Sequence, residues 1–211
     1  MNKTIQLVNL WGEFEAKHPE ADIEDFCRYY LTSRREKKNQ GKLFNGLIPP
    51  TDKIILSKLI QRIATIQQNY ANSSLHDVPV KQLEEFIVLN AVAHLKEGKK
   101  TEVIYTSLLE LSTGLNILSN LLKQGFIIEE EDKEDKRSKR VKITAKGEEV
   151  LQSCYKEMRK ANSLVFQDME EEDIALTIQL LKNVDIKFSA LWQQHKGKSF
   201  DEVLASMKES K

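Results

Sequence analysis

Apolar residues recur every three or four positions along most of the chain, which is the spacing of amphipathic helices. This pattern predicts a helix over residues 22–38 and a connector over 43–50. A long helix then begins at Thr51 or Asp52, because either side chain can accept hydrogen bonds from the first turn. The long helix carries a narrow apolar stripe, which favours packing against another helix. The stripe consists of Leu56, Leu59, Ile63, Ile66 and Tyr70.

The helical spacing continues toward the C-terminus with one interruption. Further helices are predicted over residues 80–96, 101–109 and 113–124. Ser112 is predicted to be the N-cap of the third of these helices. From Phe126 apolar and polar residues alternate, which predicts a two-stranded hairpin. Two long helices follow, the first capped by Thr144 and the second, over residues 170–195, expected to bury its apolar face.

This order of elements predicts a mainly α fold with a small β-hairpin wing, that is, a winged helix-turn-helix flanked by long dimerisation helices. The length of 211 residues is sufficient for one core with such extensions. The predicted divisions are an N-terminal helical extension (1–50), a dimerisation helix (51–77), the winged helix-turn-helix DNA-binding domain (78–147), C-terminal dimerisation helices (148–195) and a tail (196–211).

The distribution of charge directs attention to the hairpin. The chain has 32 basic and 32 acidic residues, so its net charge gives no overall preference for nucleic acid. Residues 136–146, however, contain six basic residues and no acidic one. A local basic stripe of this kind is enough to contact a DNA backbone. An acidic run from Glu129 to Asp132 directly precedes it.

Two sets of side chains are candidates for contact with DNA. Polar residues at the start and along one face of helix 113–124 can present hydrogen-bonding groups to base edges in a major groove. They are Ser112, Thr113, Asn116 and Asn120. Long basic side chains of the hairpin can contact phosphates or the minor groove. They are Lys136, Arg137, Lys139, Arg140 and Lys142. Each set has a simpler interpretation as solvated polar surface.

The hairpin also carries a motif. Residues 118–151 read LSNLLKQGFIIEEEDKEDKRSKRVKITAKGEEVL and resemble the hallmark of MarR-family regulators. That hallmark is a leucine-rich recognition helix, Gly with two hydrophobic residues, Asp-x-x-Asp-x-Arg-Ser, and hydrophobic-x-hydrophobic-Thr-x-x-Gly. The matching residues are Gly125, Phe126, Ile127, Asp132, Asp135, Arg137, Ser138, Val141, Ile143, Thr144 and Gly147. The resemblance covers about residues 51–195 and leaves the first 50 outside.

The resemblance implies roles for individual residues. Arg137 would reach the minor groove from the wing tip, Asp135 would hold the wing in shape, and helix 113–124 would lie in the major groove. It also implies a homodimer, formed by the flanking helices, on a pseudo-palindromic DNA site. Two features depart from the family pattern: Asn116 stands where many relatives have a basic residue, and Glu129 to Asp132 includes positions that are often basic. Both lower the expected affinity for phosphates.

These observations predict a sequence-specific, double-stranded DNA-binding transcriptional regulator, a repressor that responds to a small-molecule effector as a homodimer. Two alternatives stay open: a winged helix used for protein interaction without DNA, and a thiol-based redox sensor using Cys27 or Cys154. No glycine-rich phosphate loop, nucleophile elbow or paired-carboxylate pattern occurs, so we expect neither an enzyme nor a cofactor. The four histidines are scattered, so we expect no metal site.

The remaining expectations concern location and the N-terminal extension. No apolar run approaches the roughly 20 residues that cross a bilayer, and the N-terminus lacks an export signal. We therefore expect a cytoplasmic protein without membrane contact. Helix 22–38 has an apolar face of Ile23, Phe26 and Tyr30 and a basic end. It either docks on the dimerisation helices or forms a basic arm that adds phosphate contacts.

Overall fold

The computed structural model of the protein describes residues 2–36, 42–132 and 139–209, and it divides into two compact units, Met1–Ser57 and Lys58–Lys211. Its helices are α1 (Lys3–Glu15), α2 (Ile23–Glu36), α3 (Asp52–Ser74), α4 (Leu83–Leu95), α5 (Lys100–Thr106), α6 (Leu111–Lys123), α7 (Ala145–Val165), α8 (Glu171–His195) and α9 (Phe200–Glu209). Its strands are β1 (Gly98–Lys99), β2 (Ile127–Glu131) and β3 (Lys139–Ile143), and short 3₁₀ turns cover Leu43–Gly46 and Leu75–Asp77. No helix in these described ranges is both long and apolar enough to cross a membrane.

An aromatic cluster between α1 and α2 forms the core of the first unit. Phe14 and Phe26 are buried, with ring centroids 5.5 Å apart. Trp11 packs edge-on against Phe26 at 5.2 Å, and Tyr29 lies 4.9 Å from Phe14. Because a single helix of this length is marginal in water, the large apolar area of these rings is what lets the two helices form together.

The N-terminal extension differs from the sequence prediction in two respects. The helix α1 is not among the predicted elements. The helix α2 begins as expected, where the backbone N–H of Asp25 donates to the Asp22 carboxylate (2.9 Å). Ile23, predicted for the packed face, is exposed, because the ring contacts of α2 with α1 are made by Phe26 and Tyr29. The predicted end at Lys38 lies outside the described residues.

The core of the second unit lies between α4, α6, α7 and a three-stranded antiparallel sheet of order β1-β3-β2. Its fully buried side chains include Val88, Leu89, Val92, Ile104, Leu118, Leu121, Phe126, Ile127 and Val141. The central strand β3 places Val141 opposite Gly98 on one side and Glu129 on the other. The predicted two-stranded wing therefore gains a third strand, because the backbone of Gly98 pairs with β3. The helix before it ends at Leu95, one residue before the predicted end at Lys96.

The junction of α3 and α4 also differs from the prediction. Residues 72–74, predicted as a turn, belong to α3 and lead into the 3₁₀ turn at Leu75–Asp77. The following helix begins at Leu83, because the side-chain oxygen of Asn72 accepts a hydrogen bond from the Leu83 backbone N–H (2.7 Å). Val80, predicted as helical, is fully buried in the loop that precedes it.

The turn between α5 and α6 is longer than predicted. The first of these helices ends at Thr106, and Leu108 has a φ of +54°, a left-handed conformation that stops a helix. Glu110 then has the extended conformation of an N-cap, so α6 begins at Leu111. The prediction of Ser112 as N-cap is therefore wrong, and this residue lies inside the first turn.

The apolar face of α8 is exposed within the single chain. None of its residues is buried; Ile178 is 60% exposed and Phe188 51%. Leu56 and Ile66, on the predicted stripe of α3, are also exposed. The expectation that α8 buries its apolar face is thus not met by one chain alone. Large exposed apolar faces of this kind mark surfaces that a partner covers.

Candidate nucleic-acid interface

The helix α6 is fixed tightly against α5. Its inner face buries Gly114, Ile117, Leu118 and Leu121. At the crossing, a Cβ atom added to Gly114 would lie 2.5 Å from Cγ1 of Ile104, which is closer than carbon atoms can approach. Only glycine therefore allows the two helices to pack at this distance. The crossing sets the direction in which the outer face of α6 points.

The outer face of α6 is polar and exposed. It carries the four predicted base-reading residues and two that the prediction omitted, Ser119 and Lys123. We call this set the recognition face: Ser112, Thr113, Asn116, Ser119, Asn120 and Lys123. The two additional residues follow Asn116 at intervals of three and seven, so helical periodicity carried forward by one more turn identifies them. Lys123 supplies a positive charge at the C-terminal end of this face.

A buried ion pair joins the wing to β1. The side chain of Asp132 is fully buried, and its carboxylate lies 2.8 Å from Nε of Arg140 and 3.7 Å from Nζ of Lys99. Arg140 also donates to the backbone oxygen of Glu97 (3.3 Å). A buried carboxylate is stable only when it is paired, so this residue holds the base of the wing to the strand before α5. Asp135, predicted for a wing-holding role, lies outside the described residues.

A second carboxylate holds two further cations. Glu129 lies 2.5 Å from Nζ of Lys100 and 2.5 Å from Nζ of Lys139. Hydrogen bonds from Lys100 and then from Lys139 lower the pKa of Glu129, and the same contact raises the pKa of Lys139. Both directions favour the charged forms, so Glu129 is ionised and Lys139 is protonated at neutral pH.

The predicted wing cations thus differ in their surroundings. Lys139 and Arg140 are in ion pairs with carboxylates of their own chain. Lys142 is exposed on the opposite face of β3 from Val141, and no ion pair joins it to another described residue. Lys136 and Arg137 lie outside the described residues. The sequence does not distinguish Lys139, Arg140 and Lys142, because they belong to one basic run.

Hydrogen bonds hold the start of α7 against the C-terminal end of α6. The Thr144 hydroxyl donates to the Gly125 carbonyl (2.8 Å) and accepts a hydrogen bond from the Gly147 N–H (3.0 Å), as the predicted cap requires. Lys146 donates to the Gln124 carbonyl (2.9 Å), and its nitrogen lies 5.1 Å above the Phe126 ring. The threonine and glycine of the motif therefore fix the hairpin and α7 to the C-terminal end of the recognition helix.

The cysteines differ in accessibility. Cys154 is fully buried in α7, and burial raises the pKa of its thiol to about 11. The reactive form of a thiol is the thiolate, so Cys154 is a poor nucleophile at neutral pH. Cys27, in α2, is exposed. Among the described residues, no three His, Cys, Asp or Glu side chains come together as ligands for a metal ion.

Comparison with known proteins agrees with this geometry. A family model described as a winged helix DNA-binding domain matches residues 80–147. The chain is similar to the HTH-type transcriptional regulator Hpr of Bacillus mycoides, with 29% identity over 111 residues. This match covers 48% of the chain and 60% of that relative, so the chain spans less than two thirds of the relative's length.

Two solved structures share the fold. One is a MarR mutant from Escherichia coli in complex with operator DNA, with a TM-score of 0.58 and 21% identity over 68% of this chain and 99% of that one. The other is BpsR of Bordetella bronchiseptica, described in terms of the regulation of its DNA binding by 6-hydroxynicotinic acid. Its TM-score is 0.57 with 15% identity, over 62% of this chain and 98% of that one.

Residues 80–147 therefore form a winged helix DNA-binding domain, with α5 and α6 as its helix-turn-helix and β2 and β3 as its wing. The chain therefore contains a winged helix-turn-helix domain and shares its fold with solved structures of MarR-family regulators. The fold class predicted from the sequence is confirmed, and the predicted resemblance to MarR-family regulators agrees with the solved structures that share this fold.

Proposed function

We propose that the protein is a transcriptional regulator that binds specific double-stranded DNA sequences as a homodimer. The observation that carries this proposal is the recognition face, which is polar and exposed while the opposite face of α6 is locked to the core. Two similarities support it: the MarR structure of the same fold was solved with operator DNA, and Hpr is named as a transcriptional regulator. In this arrangement α6 enters the major groove, where the two asparagines are suited to adenine edges.

The wing would supply the contacts to the DNA backbone. We assign these contacts to Lys136, Arg137 and Lys142. Lys139 and Arg140 already neutralise carboxylates of their own chain, so we expect them to contribute less to binding of the DNA backbone. The acidic run Glu129 to Asp132 thus forms ion pairs within the wing. Fewer positive charges are therefore available to bind phosphates than the number of basic residues in the wing indicates.

A homodimer would cover the exposed apolar faces of α3 and α8. Such a dimer presents two recognition faces at a fixed separation, so it fits two half-sites of DNA at one spacing. Lys196, which follows α8, lies 3.3 Å from Glu110, the N-cap of α6. A movement of α8 would therefore reach the recognition helix directly. Repression under control of a small-molecule effector fits this connection, and BpsR provides a case in which a small molecule regulates DNA binding.

The two alternative functions, protein interaction and redox sensing, require different features of the protein. A module for protein interaction needs no polar reading face on α6, and the acidic run that would favour it pairs with cations of its own chain. A redox sensor needs an accessible thiolate, which Cys154 lacks. Cys27 is accessible but lies in the N-terminal unit, outside the winged helix domain.

Selection of bound sequences from a pool of random duplexes tests the proposed function. We expect enrichment of one pseudo-palindromic sequence, with binding that weakens steeply as salt rises. The measured half-site spacing should correspond to about one turn of DNA or a multiple of it. Failure to retain any duplex at low salt would exclude the DNA-binding function and favour the protein-interaction alternative.

The Arg137→Ala variant tests the wing. An arginine that makes a directed contact to DNA contributes about 1–3 kcal/mol, so we expect the affinity for the selected duplex to fall by about 5- to 150-fold. Thermal stability should be unchanged, because a residue at the wing tip contributes little to the core. The matched control is Arg159→Ala, which removes the same charge from an exposed position on α7. Equal affinity of both variants and the wild type would remove the wing tip from the mechanism.

A further inference from the structure

One carboxylate holds two lysines from the two parts of the domain that approach DNA. Lys100 is the first residue of α5 in the helix-turn-helix, and Lys139 is the first residue of β3, directly after the wing tip. Glu129 lies between them on β2, with one carboxylate oxygen at 2.5 Å from each lysine nitrogen. Two positive charges that the DNA-binding surface contains are therefore already neutralised in the free protein.

Both lysine side chains that contact Glu129 reach solvent, so rotation about their own bonds is enough to separate them from the carboxylate. The Lys139 side chain is 59% exposed, and Lys100 is 28% exposed. A partly exposed ion pair contributes little net free energy, so a different anion can replace the carboxylate. DNA phosphates are anions of the same charge. They would meet the same nitrogens, because Lys139 adjoins the segment that we assign to the DNA backbone.

We propose that Glu129 competes with DNA phosphates for Lys100 and Lys139 and thereby weakens the binding of the protein to DNA of any sequence. This inference rests on the proposed DNA-binding function. Phosphate contacts provide nearly all non-specific affinity, whereas base contacts provide the discrimination. A carboxylate that withholds two cations from phosphates therefore raises the ratio of specific to non-specific binding, while the recognition face is unaffected.

The neighbouring carboxylate has a different role. The Asp132 side chain is 0% exposed, whereas that of Glu129 is 19% exposed, so an approaching phosphate cannot take the place of Asp132 without opening the base of the wing. Its ion pair supports the structure, whereas the pairs of Glu129 lie at the surface and can exchange. The two carboxylates of the acidic run thus perform separate tasks.

The Glu129→Gln variant of the full chain tests this inference on a duplex of arbitrary sequence. The logarithm of the binding constant is measured against the logarithm of the KCl concentration. Each additional phosphate contact steepens that slope by about 0.9, so release of both lysines should steepen it by about 1.8. Non-specific affinity near 0.1 M salt should rise on the order of tenfold or more.

The matched control is Glu130→Gln. It removes the same charge from the next residue of β2, which is exposed and points to the other face of the sheet. Equal effects of the two substitutions would show a general charge effect and would overturn the inference. In the Glu129→Gln background, Lys139→Gln should lower the slope by about 0.9, whereas in the wild type it should leave the slope nearly unchanged. If Lys139→Gln also lowers the slope by about 0.9 in the wild type, the inference is overturned.

Two further measurements distinguish failure of this inference from failure of the variant to fold and from failure of the proposed function. Circular dichroism melting shows whether Glu129→Gln folds; if it does not, Glu129→Thr removes the carboxylate with a residue that suits a strand. The wild type on the same duplex at low salt provides the reference. Absence of binding by the wild type refutes the proposed function itself. Binding by the wild type with an unchanged slope in both Glu129 variants refutes only the competition.

Discussion

The Ile178→Asp variant is expected to be monomeric at concentrations at which the wild type is a dimer. Ile178 is 60% exposed on α8, a helix that buries none of its residues in the single chain. In a symmetric homodimer each substitution occurs twice, so two aspartates lose water at the interface. Burial of an unpaired charge costs several kcal/mol, so we expect the dissociation constant of the dimer to rise on the order of 100-fold or more. Analytical ultracentrifugation over a concentration series measures this change.

Loss of the dimer should also be visible in DNA binding. A monomer contacts one half-site only, so its affinity for the selected palindromic duplex should fall far more than its affinity for a single half-site. The matched control is Asn183→Asp, which places the same charge about 140° around α8 from Ile178, at an exposed polar position. Sedimentation of Ile178→Asp as a wild-type dimer, with an unchanged melting curve, would exclude this face of α8 from the interface.

Most of the fold could be predicted from patterns of residues that lie close together in the sequence. The threonine cap, the glycine that ends α6 and the alternation of the hairpin each depend on residues close in the chain, and each is found where it was predicted. The third strand could not be predicted in this way. Gly98 and Lys99 have no β pattern of their own, and they pair with Val141 and Arg140, about forty residues later. Pairing over that distance depends on the assembled core.

The same distinction applies to the candidate site. The exposed residues of α6 follow from helical periodicity, because one face must be apolar to pack. The wing cations do not, since Lys139, Arg140 and Lys142 have the same chemistry and adjacent positions. The fold brings the first two beside Glu129 and Asp132, whereas no ion pair joins the third to another described residue. Periodicity also predicts the apolar face of α8, but a single sequence does not show whether its own chain or another covers it.

The largest loss of stability within one chain is expected from Gly147→Ala. A Cβ atom at this position would lie 2.0 Å from the backbone oxygen of Phe126 and 2.9 Å from Cγ1 of Ile143. The Phe126 oxygen is fixed, because it accepts a hydrogen bond from the backbone N–H of Thr144 (3.0 Å). The first turn of α7 would have to move away from the sheet, and such overpacking costs about 3 kcal/mol or more. Urea unfolding followed by circular dichroism measures this difference.

Alanine substitutions at two other glycines serve as controls, because they distinguish the clash at Gly147 from the general effect of adding a methyl group. Gly12 in α1 has no neighbour within 4 Å of an added Cβ, so Gly12→Ala should be neutral or should stabilise by up to about 1 kcal/mol through helix propensity. The three atoms nearest to a Cβ at Gly114 all belong to the side chain of Ile104, so the added substitution Ile104→Ala should cost less in Gly114→Ala than in the wild type. No side-chain substitution can relieve Gly147→Ala, because its neighbour is backbone. Stability of Gly147→Ala within about 0.5 kcal/mol of the wild type would therefore show that α7 does not pack this closely against the end of the recognition helix.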